Sequence, residues 1–177
     1  MSTDGLTSRI GFRLMAAVMS LNRRSVATEA RVQASGVGIG QVVLDYACGP
    51  GYFTVVAARL VGPTGLVYAR DREPAATRMV AERARRAGLA NVGPILSDCA
   101  TGLETGSVDV VLLYDANHGI DDKRAVLAEL ERVLKPGGLL SVWVEHGEPA
   151  RAIPLISENS HFALRERKDD ILNFALG

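Results

Sequence analysis

From Gln41 onward, short runs of β-branched and apolar residues alternate with stretches in which apolar positions recur every three or four residues, the pattern of strand–helix–strand units around a parallel sheet. VVLDY (42–46) reads as the first strand. Phe53, Val56, Ala57 and Leu60 fall on one helical face, and Gly62-Pro63-Thr64-Gly65 turns the chain into a second strand, LVYAR (66–70). Pro74 suits the first turn of the next helix and Gly88 its end, with Met79, Val80, Ala84 and Ala87 as the apolar stripe. A third strand is expected over 92–97. VDVVLLY (108–114) is apolar almost throughout, as a central strand covered on both faces should be. The pattern predicts a helix over 121–135, capped by Asp121 or Asp122 and packed through Val126, Leu127, Leu130, Val133 and Leu134. Pro136-Gly137-Gly138 is expected to stop it before a strand at 139–145. A short helix over about 150–158 and two strands, 161–166 and 171–176, close the chain. The last two lie near enough in sequence for an antiparallel pair.

Residues 1–36 form a separate N-terminal helical extension, and 37–177 a single α/β domain. Within the first 40 residues Arg9, Arg13, Arg23, Arg24 and Arg31 outnumber Asp4 and Glu29, and Ile10, Leu14, Ala17, Val18 and Leu21 recur at helical spacing. Such a helix packs on the domain, covers a pocket, meets a second copy or lies on a membrane surface; a homodimer fits its apolar stripe. Its apolar run is about ten residues and is split by Arg13, too short to span a bilayer and unlike a signal peptide. With 177 residues there is room for one domain and a short extension. Lys plus Arg and Asp plus Glu are 20 each, which excludes the broad basic field of a nucleic-acid binder and favours a small-molecule partner. Cys48 and Cys99 read as two buried free thiols of a cytoplasmic protein. His118, His146 and His161 have no ligand-type spacing, so no metal is expected.

The chemistry concentrates at Asp45-Tyr46-Ala47-Cys48-Gly49-Pro50-Gly51, between the first strand and first helix, where ligands of open α/β sheets bind. Read as G-x-G-x-x-G the loop fails at Thr54. Asp45 would repel a pyrophosphate, whereas a cationic ligand would welcome it. S-adenosylmethionine, with a sulfonium and an ammonium, meets that requirement. Asp71, just past the second strand, has two acceptor oxygens for two ribose hydroxyls; its alternative is a solvent-facing acid at a helix start. Arg72 beside it is the one feature that suggests NADP. Asp98 at the end of the third strand is an acceptor for an adenine amine, with Cys99 or Ala100 offering a backbone N–H to the ring, or else a turn residue.

Together VLDYACGPG (43–51), VYARD (67–71), ILSDC (95–99) and the stretch 108–142 resemble the class I S-adenosylmethionine-dependent methyltransferases, most closely the small type-11 group that includes ubiquinone/menaquinone-pathway C-methyltransferases. The resemblance implies a Rossmann-like, doubly wound, seven-stranded sheet in order 3-2-1-4-5-7-6 with strand 7 antiparallel, in three αβα layers. It implies a cofactor site of Asp45, Ala47, Cys48, Gly49, Gly51, Asp71, Arg72, Asp98, Cys99 and Asp115. The family's first motif usually has glycine where this chain has Ala47; if that position needs positive φ, the methyl group costs about 1 kcal/mol. Methyl transfer chiefly needs positioning, and a base only where the acceptor must lose a proton. His118, in the loop after the fourth strand, is the candidate base, or a loop residue satisfied by its neighbours; Tyr52, Asn117 and His146 are candidates for the acceptor pocket. Two other readings stay open: a catalytically weak or inactive relative that binds cofactor or a partner, and an NAD(P)-binding oxidoreductase.

Overall fold

A computed structural model describes residues 25–115, 122–144 and 152–177. The expected leading helix around residues 10–21 and the candidates Asn117, His118 and His146 lie outside them. The strands are β1 (Val42–Tyr46), β2 (Leu66–Asp71), β3 (Val92–Leu96), β4 (Val108–Tyr114), β5 (Leu134–Trp143), β6 (Phe162–Lys168) and β7 (Ile171–Leu176). They make one sheet in the order β3-β2-β1-β4-β5-β7-β6. β1 to β5 pair in parallel, while β7 runs antiparallel to both β5 and β6, as expected.

Helices α1 (Ser25–Ala34), α2 (Tyr52–Val61), α3 (Pro74–Arg86), α4 (Lys123–Val133) and α5 (Ala152–Ser157) cover the two faces. Strand alternation decides which side chains meet which helix. Val43, Val110 and Leu112 point to one face, where they pack with Val32 of α1 and Phe53, Ala57, Ala58 and Val61 of α2. Leu44, Tyr46, Val111, Leu113 and Leu140 point to the other, against Val126, Leu127 and Leu130 of α4 and Ile156 of α5. Asp122 caps α4 by accepting from Ala125 N at 3.0 Å, which selects between the two expected caps.

Three expectations about elements change. The α2 stripe is wider than Phe53, Val56, Ala57 and Leu60: Thr54, Val55, Ala58 and Val61 are buried, and Val56 and Leu60 only partly so. The cause is that α2 is covered by α1 as well as by the sheet. On α3, Val80 and Ala84 are buried with Ala76, while Met79 and Ala87 sit half-buried at the margin. Pro136-Gly137-Gly138 does not stop α4. Leu134 is already extended and pairs with Val108, and Lys135 to Gly138 loop out opposite Asp109 before pairing resumes at Leu139 with Val110. The loop is tied by Lys135 Nζ to Asp109 Oδ1 at 2.8 Å, and Asp109 Oδ2 accepts Val42 N at 2.8 Å.

α1 is fastened to the sheet. Arg31 donates through Nε to Asp170 Oδ2 at 2.9 Å, Tyr114 Oη donates to Arg31 O at 3.1 Å, and Asn173 Nδ2 donates to Ala34 O at 2.8 Å.

Candidate functional site

The carboxyl ends of β1, β2 and β3 converge on the loop Ala47–Gly51. Ala47, Gly49 and Gly51 all have left-handed backbones, with φ of 61°, 52° and 81°. A Cβ on Gly51 would stand 2.7 Å from Val80 Cγ2, so glycine there is what lets α3 approach the loop. A Cβ on Gly49 would meet nothing within 4 Å, so the loop's outer face is open. Ala47 occupies the strained conformation considered for it above, with its side chain packed against the core of the α4 face.

Asp45, expected from the sequence to act through its negative charge, is buried and already partnered. It is 2% exposed, and Thr54 Oγ1 donates to its Oδ2 at 2.5 Å. Burial pushes its carboxyl up to about 7; the Thr54 hydrogen bond opposes the shift and the nearby charge of Asp71 adds to it. Burial therefore weakens its negative charge near neutral pH, and with it the repulsion of a phosphate. Thr54, noted in the sequence only for breaking the dinucleotide pattern, is the residue that satisfies this carboxyl. Cys48 is buried, and its thiol is pushed up by burial and by Asp45 and Asp71, so the residue serves through its backbone: its N–H donates to Arg70 O at 3.0 Å.

Asp71 is likewise already engaged. Its Oδ2 accepts Gly49 N at 2.8 Å and its Oδ1 accepts Glu73 N at 2.9 Å, and the residue is 8% exposed. It is not the solvent-facing acid of the alternative reading: it clasps the glycine loop to β2, leaving the second lone pair of each oxygen for a ligand. Arg72 is exposed.

Ser97, Asp98 and Cys99 follow β3. Ser97 N donates to Asp71 O at 3.1 Å, which carries the β2–β3 pairing into this loop. Asp98 is exposed, and Cys99 is half-buried where a buried thiol was expected.

On the other side of the loop, Tyr52 is half-buried with Arg83 Cζ 4.0 Å from its ring centre, and Arg83 Nε donates to Pro50 O at 3.0 Å. Asp115 follows β4 with φ of 56°, its N–H donating to Trp143 O at 2.8 Å. Phe53, Tyr114 and Trp143 form an aromatic cluster with ring centres 4.9 to 6.3 Å apart, Tyr114 edge-on to both partners and Phe53 tilted against Trp143. A cavity of about 50 Å³ opens beside the ends of β4 and β5, walled by Leu113, Val126, Leu127, Val142, Trp143 and Ile156, among others. Its lining is almost wholly apolar, with Lys123 the charged residue among those that border it. Sequence reasoning missed these aromatics as a group, because only strand pairing brings positions 114 and 143 side by side.

Residues 39–163 match a methyltransferase-domain family. The chain is 34% identical over 140 residues to the ubiquinone/menaquinone biosynthesis C-methyltransferase of Pasteurella multocida, covering 78% of this chain and 52% of that protein. It is 35% identical over 120 residues to the protein of the same name from Klebsiella pneumoniae, covering 67% and 47%. The chain thus spans about half the length of the curated relatives it matches. Among solved structures, a SAM-dependent methyltransferase from Aquifex aeolicus superposes with a TM-score of 0.78 at 22% identity, over 92% of this chain and 98% of that one, a likeness of fold. The sheet order, the loop after β1 and the matched span agree: the chain belongs to the methyltransferase-domain family.

Proposed function

We propose that the protein is an S-adenosylmethionine-dependent methyltransferase acting on a small-molecule acceptor. The observation that carries this reading is the left-handed loop Ala47–Gly51, open over Gly49 and clasped by Asp71, at the carboxyl end of β1. Its donor set fits the cofactor. The bare backbone at Gly49 admits close approach, the second lone pairs of Asp71 suit two ribose hydroxyls, and exposed Asp98 suits an exocyclic amine. Asp45, poised near 7, holds its negative charge more readily when a cation is near it. Ala47, Cys48, Gly51, Arg72, Cys99 and Asp115 complete the border.

The cofactor supplies a methyl group already activated by its sulfonium. The chain's task is to orient an acceptor and exclude water, for which the apolar cavity at the ends of β4 and β5, bordered by Trp143, provides walls. Tyr52, Asn117 and His146 are the proposed acceptor-binding residues. His118 is the proposed base, its ring nitrogen taking a proton where the acceptor must lose one. No helix among the described residues is long and apolar enough to cross a membrane. A cytoplasmic setting and a homodimer belong to the same proposal.

Calorimetric titration with S-adenosylhomocysteine and with NAD tests the cofactor, and transfer of a labelled methyl group to a panel of small phenols, quinols, amines and thiols tests the activity. Binding of the thioether with no response to NAD, followed by labelled product, is expected. Binding of NAD, or no transfer to any acceptor despite tight binding, would overturn the reading.

A further inference from the structure

The segment after β3 is pinned from two sides by residues distant in sequence. On one side Tyr46 Oη donates to Cys99 O at 3.1 Å, and Arg70 Nε donates to Ser97 Oγ at 3.1 Å. On the other, Glu129 of α4 accepts both Thr101 N at 2.7 Å and Thr101 Oγ1 at 2.6 Å. Between the pins stands Asp98, exposed. Tyr46 and Arg70 are cross-strand partners, and the guanidinium lies 4.2 Å from the centre of the Tyr46 ring.

Arg70 is a costly residue to keep there. It is 4% exposed, its Nη2 is buried with no hydrogen-bond partner, and among the described residues no carboxylate forms an ion pair with it. A buried cation without a counter-ion carries a desolvation cost that its stacking on Tyr46 and its one hydrogen bond only partly offset. What the side chain does supply is direction: it fixes the Tyr46 ring and holds Ser97, so that the loop presents Asp98 at one place.

We propose that Tyr46 and Arg70 are positioning residues for nucleobase recognition, holding the 97–101 loop so that Asp98 is set to accept from the exocyclic amine of an adenine. This rests on the cofactor assignment above. It adds that base selectivity is set by a tyrosine–arginine pair on the sheet, one element away from the residue that would touch the base.

Calorimetry on the full chain with S-adenosylhomocysteine and S-inosylhomocysteine, which lacks the exocyclic amine, tests the proposal in the wild type, Tyr46→Phe and Arg70→Met. The wild type is expected to prefer the adenine ligand by at least roughly tenfold. Tyr46→Phe removes one hydroxyl and is expected to cut that preference by roughly three- to tenfold, the worth of one hydrogen bond. Arg70→Met is expected to cut it at least as far while its Tm holds or rises, which a merely structural brace would not do. If Arg70→Met does not fold, Tyr46→Phe decides. Unchanged preference in the variants, or a wild type that binds both ligands equally, overturns the proposal and leaves the cofactor assignment standing. A wild type that binds neither ligand overturns both.

Discussion

Asp45→Asn isolates the least ordinary group in the site. Asp45 is 2% exposed, and its carboxyl is pushed from an ordinary 3.8 up to about 7 by burial, against the Thr54 hydrogen bond and helped by Asp71. Its folded-state pKa lies above the unfolded one, so the folded protein holds more protons than the unfolded chain between these values. Stability from this group is complete below about pH 4 and is lost as pH rises through about 7. A gap of about three units corresponds to about 4 kcal/mol, which for a chain of 177 residues is a Tm change on the order of 10 °C. Asparagine fills nearly the same volume, still accepts from Thr54 through its amide oxygen and does not titrate. Thermal denaturation of both proteins from pH 4 to pH 8 is the assay. The variant's Tm is expected to overtake the wild type's as pH rises, with the difference changing by several degrees or more. Parallel curves would refute the reasoning, because they would mean that Asp45 titrates alike in the folded and unfolded chain.

Other variants test neighbouring parts of the account. Ala47→Gly releases a left-handed alanine, worth about 1–2 kcal/mol, against about 0.4–1 kcal/mol for the freer unfolded chain. A Tm rise of about 2 °C in a thermal melt is expected, and a fall would show that Ala47 is not strained. Asp71→Ala leaves the Gly49 and Glu73 N–H groups without their acceptor and is expected to weaken S-adenosylhomocysteine binding at least roughly tenfold by calorimetry. Glu129, held down to about 2 by hydrogen bonds from Arg132 and Thr101 against burial, contributes stability that is present above its ordinary 4.5 and lost as pH falls towards 2. Glu129→Ala is expected to flatten that acid limb in a circular-dichroism titration.

The strands were legible because a doubly covered sheet leaves near-continuous apolar runs, as in VDVVLLY, and because Gly and Pro punctuate the turns, whereas their order followed only from the family resemblance. Asp45, Gly49, Gly51 and Asp71 were legible as a set from their places at strand ends. What remained hidden was how those groups are partnered. Nothing local announces that Thr54 serves Asp45, or that Asp71 already holds Gly49 and Glu73, since these contacts exist only once the loop folds back on β2. Arg70 read as one polar position in LVYAR; its stacking on Tyr46 depends on a register that strand patterns do not specify. Pro136-Gly137-Gly138 looked like a helix stop because the same residues serve a bulge, and only the pairing of Leu134 with Val108 separates the two.

A crystal structure of the chain with S-adenosylhomocysteine tests the central claim most directly. The ligand is expected over Gly49, with both ribose hydroxyls within hydrogen-bonding distance of the Asp71 carboxylate and the adenine amine beside Asp98. A ligand seated elsewhere, or an Asp71 that keeps only Gly49 and Glu73 as partners at saturating ligand, would contradict it.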